Sequence, residues 1–112
     1  MDRLKELQEI VKTVVKRYAD FRDRELDELD TQVVLDDENK HYFLQYVGWD
    51  GMERIHSCLL HLDIKNDKIW IQKDFIEHGV ATDLMEMGVP KSSIVLGFQA
   101  PFKRPYTEFA DS

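Results

Sequence analysis

The sequence predicts an α+β domain: an antiparallel four- to five-stranded β-meander with an N-terminal helix and a second helix in the C-terminal half. Three observations lead there. Apolar residues recur at helical spacing over residues 3–20, and the period shifts to two from Thr31. After residue 74 a helix-start signal is followed by Gly88-Val89-Pro90, which stops a helix.

The first helix rests on Leu4, Leu7, Val11, Val14, Val15 and Tyr18, with Lys5, Glu9, Lys12 and Lys16 between them and Asp2 as N-cap. Its stripe is expected to pack on the domain's own sheet. Asp20 to Asp30 is acidic, with few apolar anchors, and reads as a solvated connector. Residues 31–36 and 40–49 alternate as strands around Asp37-Glu38-Asn39. Asp50-Gly51 turns into a long strand over 53–65, and Asn66-Asp67 turns into 68–73. Asn, Asp and Gly suit two-residue hairpin turns because they tolerate positive φ. Asp74-Phe75-Ile76-Glu77 has the spacing of a capping box, opening a helix over 76–87 that carries Val80, Leu84 and Met85 inward. Gly79 weakens its first turn, Gly88 is its left-handed C-cap, and Pro90 bars continuation. Ile94-Val95-Leu96 is a short fifth strand, and residues 101–105 form an irregular tail.

The 112 residues fit one domain, 1–112. A chain of this size buries roughly 60 to 70% of its unfolded surface, enough for a core without metal or disulfide. Cys58 is the single cysteine, so no internal bridge exists. With no apolar run of membrane length and no signal-peptide core at Met1–Glu6, the expected location is the reducing cytoplasm. The net charge of −7 is uneven: residues 20–40 hold nine acidic side chains against three basic. Such a surface repels a phosphate backbone, so unaided DNA binding is disfavoured and a basic partner is favoured.

The chemistry tests come out negative. His56 and His61 are five apart in one strand and should point to opposite faces. His61 and Asp63 share a face, but two ligands fall short of a zinc site, so no metal and no cofactor is expected. A nuclease reading would need an acidic-x-Lys triplet beside Asp63. The next strand offers Ile71-Gln72-Lys73 instead, with Asp74 on the wrong side. Cys58 sits among Leu60 and Leu62 as a core thiol, and the five glycines fit no phosphate loop. No catalytic residue emerges. The sheet faces say more: Phe43, Val47, Cys58, Leu60, Leu62, Ile64, Ile69 and Ile71 read as the core face. The opposite parity, Tyr42, Leu44, Tyr46, Ile55, Leu59 and Trp70, is too apolar for solvent. The second helix or the tail is its ordinary cover. The sharper reading is a partner surface, met by another protein or, in a homodimer, by a second copy.

The run Tyr46-Val47-Gly48-Trp49-Asp50-Gly51, then Arg54-Ile55-His56, Asp63-Ile64-Lys65 and Lys68-Ile69-Trp70-Ile71-Gln72, resembles the XisI family. So do Gly88-Val89-Pro90-Lys91, Ile94-Val95-Leu96-Gly97-Phe98-Gln99 and the ending Tyr106–Ala110. The likeness covers essentially the whole chain, with Ala100 standing where a second proline would be expected. XisI-like proteins are described as controlling factors for excision of the fdxN DNA element in cyanobacteria, and occur with a nuclease-like companion, XisH. The resemblance therefore implies a non-enzymatic regulatory protein acting on recombination through a XisH-like protein partner. Two rivals stand beside it. One is a DNA-binding accessory factor using Lys103, Arg104 and the N-terminal lysines. The other is a metal-dependent enzyme using His61, Asp63 and Asp74.

Overall fold

The computed structural model describes residues 3–23 and 29–112. Elements follow in the order α1 (Arg3–Asp23), β1 (Leu29–Asp36), β2 (His41–Asp50), β3 (Glu53–Lys65), β4 (Lys68–Asp74), α2 (Val80–Glu86) and β5 (Ile94–Leu96). The five strands form one sheet in chain order. The first four pair antiparallel, and β5 lies parallel to β4. A parallel neighbour requires the chain to cross over, and the segment containing α2 makes that crossing. Asp2, the expected N-cap, lies outside the described residues. The expected connector is narrower than Asp20–Asp30, because α1 continues through Asp23 and β1 begins at Leu29; what remains of it lies outside the described residues.

The apolar stripe of α1 behaves as its periodicity predicts. Leu7, Val11, Val14 and Val15 are fully buried against Tyr42, Leu44, Leu60, Leu62, Ile64, Ile69 and Ile71 of the sheet. Val80, Ala81 and Leu84 of α2, with Val89 and Ile94, close the same core. Both helices thus cover one face of the sheet.

The turns show why the strands end where they do. Asn66 and Asp67 both take positive φ, 54° and 59°, the signature of a type I′ hairpin turn. The β2–β3 loop is Gly51-Met52, one residue later than expected, and Gly51 supplies its φ of 60°. Between β1 and β2 the Asp36 carboxylate accepts from the Asn39 backbone N–H and side-chain amide, and Lys40 belongs to the turn with φ 63°.

The second helix starts later than the capping-box reading placed it. Asp74 ends β4 and its carboxylate accepts the N–H groups of Ile76 at 2.9 Å and Val80 at 3.0 Å. Gly79, at φ 86°, breaks the chain between them, so the helix begins at Val80. Its end is a Schellman motif as expected: Val89 N–H donates to Leu84 O, and Gly88 N–H to Met85 O, with Gly88 at φ 99°.

Asp37 fastens α1 to the β1–β2 loop. Its carboxylate accepts from Lys12 Nζ at 2.9 Å and Tyr42 Oη at 2.8 Å, while its backbone carbonyl accepts from Gln8. Burial and the bond to Asp37 push the Tyr42 phenol from its ordinary 10.0 up to about 12. In that window the folded chain keeps a proton that the unfolded chain has lost. Stability from this group is therefore full below pH 10.0 and disappears as pH rises to about 12. Denaturant unfolding of wild type and Tyr42→Phe across the window should show their stability gap narrowing with pH; parallel curves would contradict it.

Candidate functional site

The sheet's outer face, opposite the helices, carries the polar chemistry. Two bulges decide which residues reach it. Near the β2–β3 turn Gln45 pairs with Cys58 and Tyr46 with Ser57, but beyond the bulge at Leu59 the pairs become Leu44–Leu60 and Tyr42–Leu62. One extra residue reverses the parity of everything past it. Tyr42, Leu44, Tyr46 and, by register, Ile55 therefore lie on the helix-covered face together with Leu60 and Leu62.

This corrects the proposed partner surface. Tyr42 and Leu44 are core residues at 0% and 1% exposure, and Tyr46 is buried too. Ile55 and Leu59 are half-buried, and Leu59 is the bulge residue itself. Trp70 lies on the opposite face, paired with Asp63 and Val95. The six do not make one exposed surface. Phe43 and Val47, expected in the core, are half-buried on the outer face beside Cys58.

The same bulge puts His56 and His61 on one face, contrary to simple alternation, although they pair with Val47 and Phe43, four residues apart. His41 is the residue that sequence reasoning missed. It lies directly across from Asp63, and His61 lies two residues from Asp63 on the same side. His41 Nδ1 is 2.8 Å and His61 Nε2 2.9 Å from Asp63 Oδ1. Gln72, the bulge residue of β4, donates its Nε2 to Asp63 Oδ2 at 3.3 Å. Phe43 packs its ring edge-to-face with His61 at 5.6 Å. Asp74 takes no part, because its carboxylate holds the start of α2.

The C-terminal tail covers the neighbouring part of this face. Arg104, in a single 3₁₀ turn (Arg104–Tyr106), stacks its guanidinium on Trp70 at 5.2 Å, and Lys65 Nζ lies over the same indole at 4.3 Å. Arg104 also donates to Gln99 O at 3.1 Å and Gly97 O at 3.3 Å. Ala110 N–H then donates to Ile94 O, returning the tail to β5. Arg104 and Lys12, two cations assigned to DNA contact, are thus committed to groups of the protein itself. Between α1 and α2, Tyr18 Oη donates to Asp83 Oδ2 at 2.6 Å, and His78 Nε2 lies 3.1 Å from both. Burial and the Asp83 bond push the Tyr18 phenol well above its ordinary range.

Cys58 and Ser57, the nucleophile types on β3, are each placed by the same geometry. Burial raises the Cys58 pKa, which keeps the thiol protonated, and its Sγ donates weakly to Leu60 O. Ser57 is exposed and has no hydrogen bond to a base among the described residues. No helix among the described residues is long and apolar enough to cross a membrane.

Fold and site together define a small α+β protein: a helix-covered five-stranded sheet, strapped by its own tail, with a His–Asp–His cluster beside the strap. Comparison with known proteins gives the family. The family model described as XisI protein matches residues 1–111, and the chain belongs to the XisI family. Its fold is similar to the crystal structure of a XisI-like protein from Anabaena variabilis ATCC 29413, with TM-score 0.90 and 43% identity over 96% of this chain and 97% of that one. It is also similar to the fdxN element excision controlling factor XisI from the same organism, with TM-score 0.89 and 32% identity over 99% and 100%. No curated protein sequence matches.

Proposed function

We propose that this protein is a non-catalytic regulatory subunit that controls excision of a DNA element by binding a XisH-like protein. The observation that carries the reading is the match to a named excision controlling factor over the full length of both chains. The −7 charge favours contact with a basic partner surface, which would otherwise attract DNA. The tail offers rings for such a contact: Phe98, Phe102 and Tyr106 are all exposed, Tyr106 at 90%. Aromatic residues of this kind anchor interfaces that are part apolar and part wet.

Light scattering on the purified chain, alone and mixed with a XisH-like protein, tests the proposal. The expected result is a stoichiometric complex that weakens when Phe102 and Tyr106 are both replaced by Ser. Failure of the two proteins to associate overturns the partner reading.

A further inference from the structure

The His41, His61 and Asp63 side chains meet on the outer face around a single carboxylate oxygen. Their ligand atoms all lie within 4.8 Å of one another. Both imidazoles direct a ring nitrogen to the same oxygen, Asp63 Oδ1, while Gln72 occupies the other oxygen. The carboxylate is thereby held in one orientation, with a single oxygen turned towards two imidazole nitrogens. An outer hydrogen bond that fixes a ligating carboxylate is a common feature of metal sites.

We propose that His41 Nδ1, His61 Nε2 and Asp63 Oδ1 bind one divalent transition-metal ion of the zinc class, leaving a fourth position to water or to a group from another molecule. Two imidazoles and one carboxylate suit borderline ions such as Zn²⁺, and two nitrogen donors with one oxygen do not suit Ca²⁺ or Mg²⁺. Tetrahedral zinc with bonds of about 2.0 Å sets its ligand atoms about 3.3 Å apart. The two nitrogens already stand 2.8 and 2.9 Å from the carboxylate oxygen. Admitting the ion widens each of these by about 0.4 Å and sets the two nitrogens, now within 4.8 Å of each other, about 3.3 Å apart; His41 is exposed and able to move.

The placement follows from the strands. His41 and Asp63 face each other across β2 and β3, and His61 is the next outward residue on β3. Phe43 against one side of His61 limits how that ring can turn. A bound ion would join β2 to β3 at the end of the sheet where those strands meet the Asp37 loop. It binds the folded chain alone, because the unfolded chain does not bring residue 41 to residues 61 and 63. The site is independent of the XisH-like reading and can fail without affecting it.

The test uses the full chain, purified without a histidine tag and stripped with EDTA. Calorimetric titration with Zn²⁺ should give one ion per chain and a rise in melting temperature. His41→Ala, His61→Ala and Asp63→Asn should each weaken Zn²⁺ binding by more than about tenfold, whereas His56→Ala should leave it unchanged. Circular dichroism of each stripped variant checks that it folds. Should one of them unfold, the visible spectrum of wild-type protein loaded with Co²⁺ decides: intense bands mark four-coordination, weak bands a hydrated ion. The proposal is overturned by absence of Zn²⁺ binding in wild type. It is equally overturned by weak, octahedral Co²⁺ bands, or by Zn²⁺ affinity that survives all three substitutions.

Discussion

Replacing Leu44 with Ala is expected to lower the unfolding free energy by about 3 kcal/mol. Leu44 is 1% exposed, pairs with Val33 and Leu60 across the sheet, and packs in the core beneath α1. Truncation removes the transfer energy of its methyl and methylene groups and leaves a cavity that a sheet held by strands on both sides closes poorly. For a domain whose total stability lies at roughly 5 to 15 kcal/mol, that is a large share. The melting temperature should fall by about 10 °C, with an unchanged denaturant slope. Phe43→Ala, one residue away, should cost well under half as much, because Phe43 is half-buried on the outer face and lies outside the core cluster. Urea unfolding of the two variants checks the ordering. A larger loss at Phe43 would mean that the strand presents its other face to the helices.

That pair of residues also marks where the sequence stopped being legible. Element types were readable because each had a physical signal of its own. The 3.6 period of α1, the positive-φ residues at the turns and the Gly88 stop all appear in the structure. The faces of β2 were not readable. Tyr42, Leu44 and Tyr46 alternate with Phe43, Gln45 and Val47, so both parities are largely apolar and burial of either is plausible from the sequence. The assignment then depends on register, and counting back from the β2–β3 turn gives the correct face only as far as Leu59. Nothing in Cys58-Leu59-Leu60 announces a bulge, since Leu59 is as apolar as its neighbours. The missed bulge exchanged Tyr42 and Leu44 for Phe43 in the expected core.

The candidate site was half legible for the same reason. His61 and Asp63 share a face by their spacing of two, a local property that survives any error of register. His41 belongs to another strand and reaches them only through the pairing of β2 with β3, a non-local property. The capping reading of Asp74 shows the reverse case. Its carboxylate does accept N–H groups at the start of the helix, but Gly79 moves that start to Val80, and Glu77 has no part in it.

Arg104→Ala should loosen the C-terminal strap and lower stability by about 2 kcal/mol, the range for charged hydrogen bonds lost together with a cation–aromatic contact. The guanidinium donates to two backbone carbonyls, Gln99 O and Gly97 O, and stacks on Trp70 in the same pose. The approach of the chain at Gly97 is close: a Cβ there would lie 2.6 Å from Gln72 Oε1 and 3.2 Å from Ile71 O. A side chain at 97 would thus displace the Gln72 amide and press on the Ile71 carbonyl, and Arg104 is the side chain that bonds the strap to the loop carrying Gly97. Lysine should not rescue the variant, because an ammonium lacks the fork that donates along two fixed directions while lying over an indole. Hydrogen exchange locates the effect. Protection should fall at Ala110 and Phe98, whose N–H groups bond to Ile94 O and Ile71 O, while the amides of β2 and β3 keep theirs. Loss of protection throughout the sheet would instead make Arg104 part of the global fold. Full rescue by Arg104→Lys would show that charge over Trp70, and not the two carbonyl bonds, holds the tail in place.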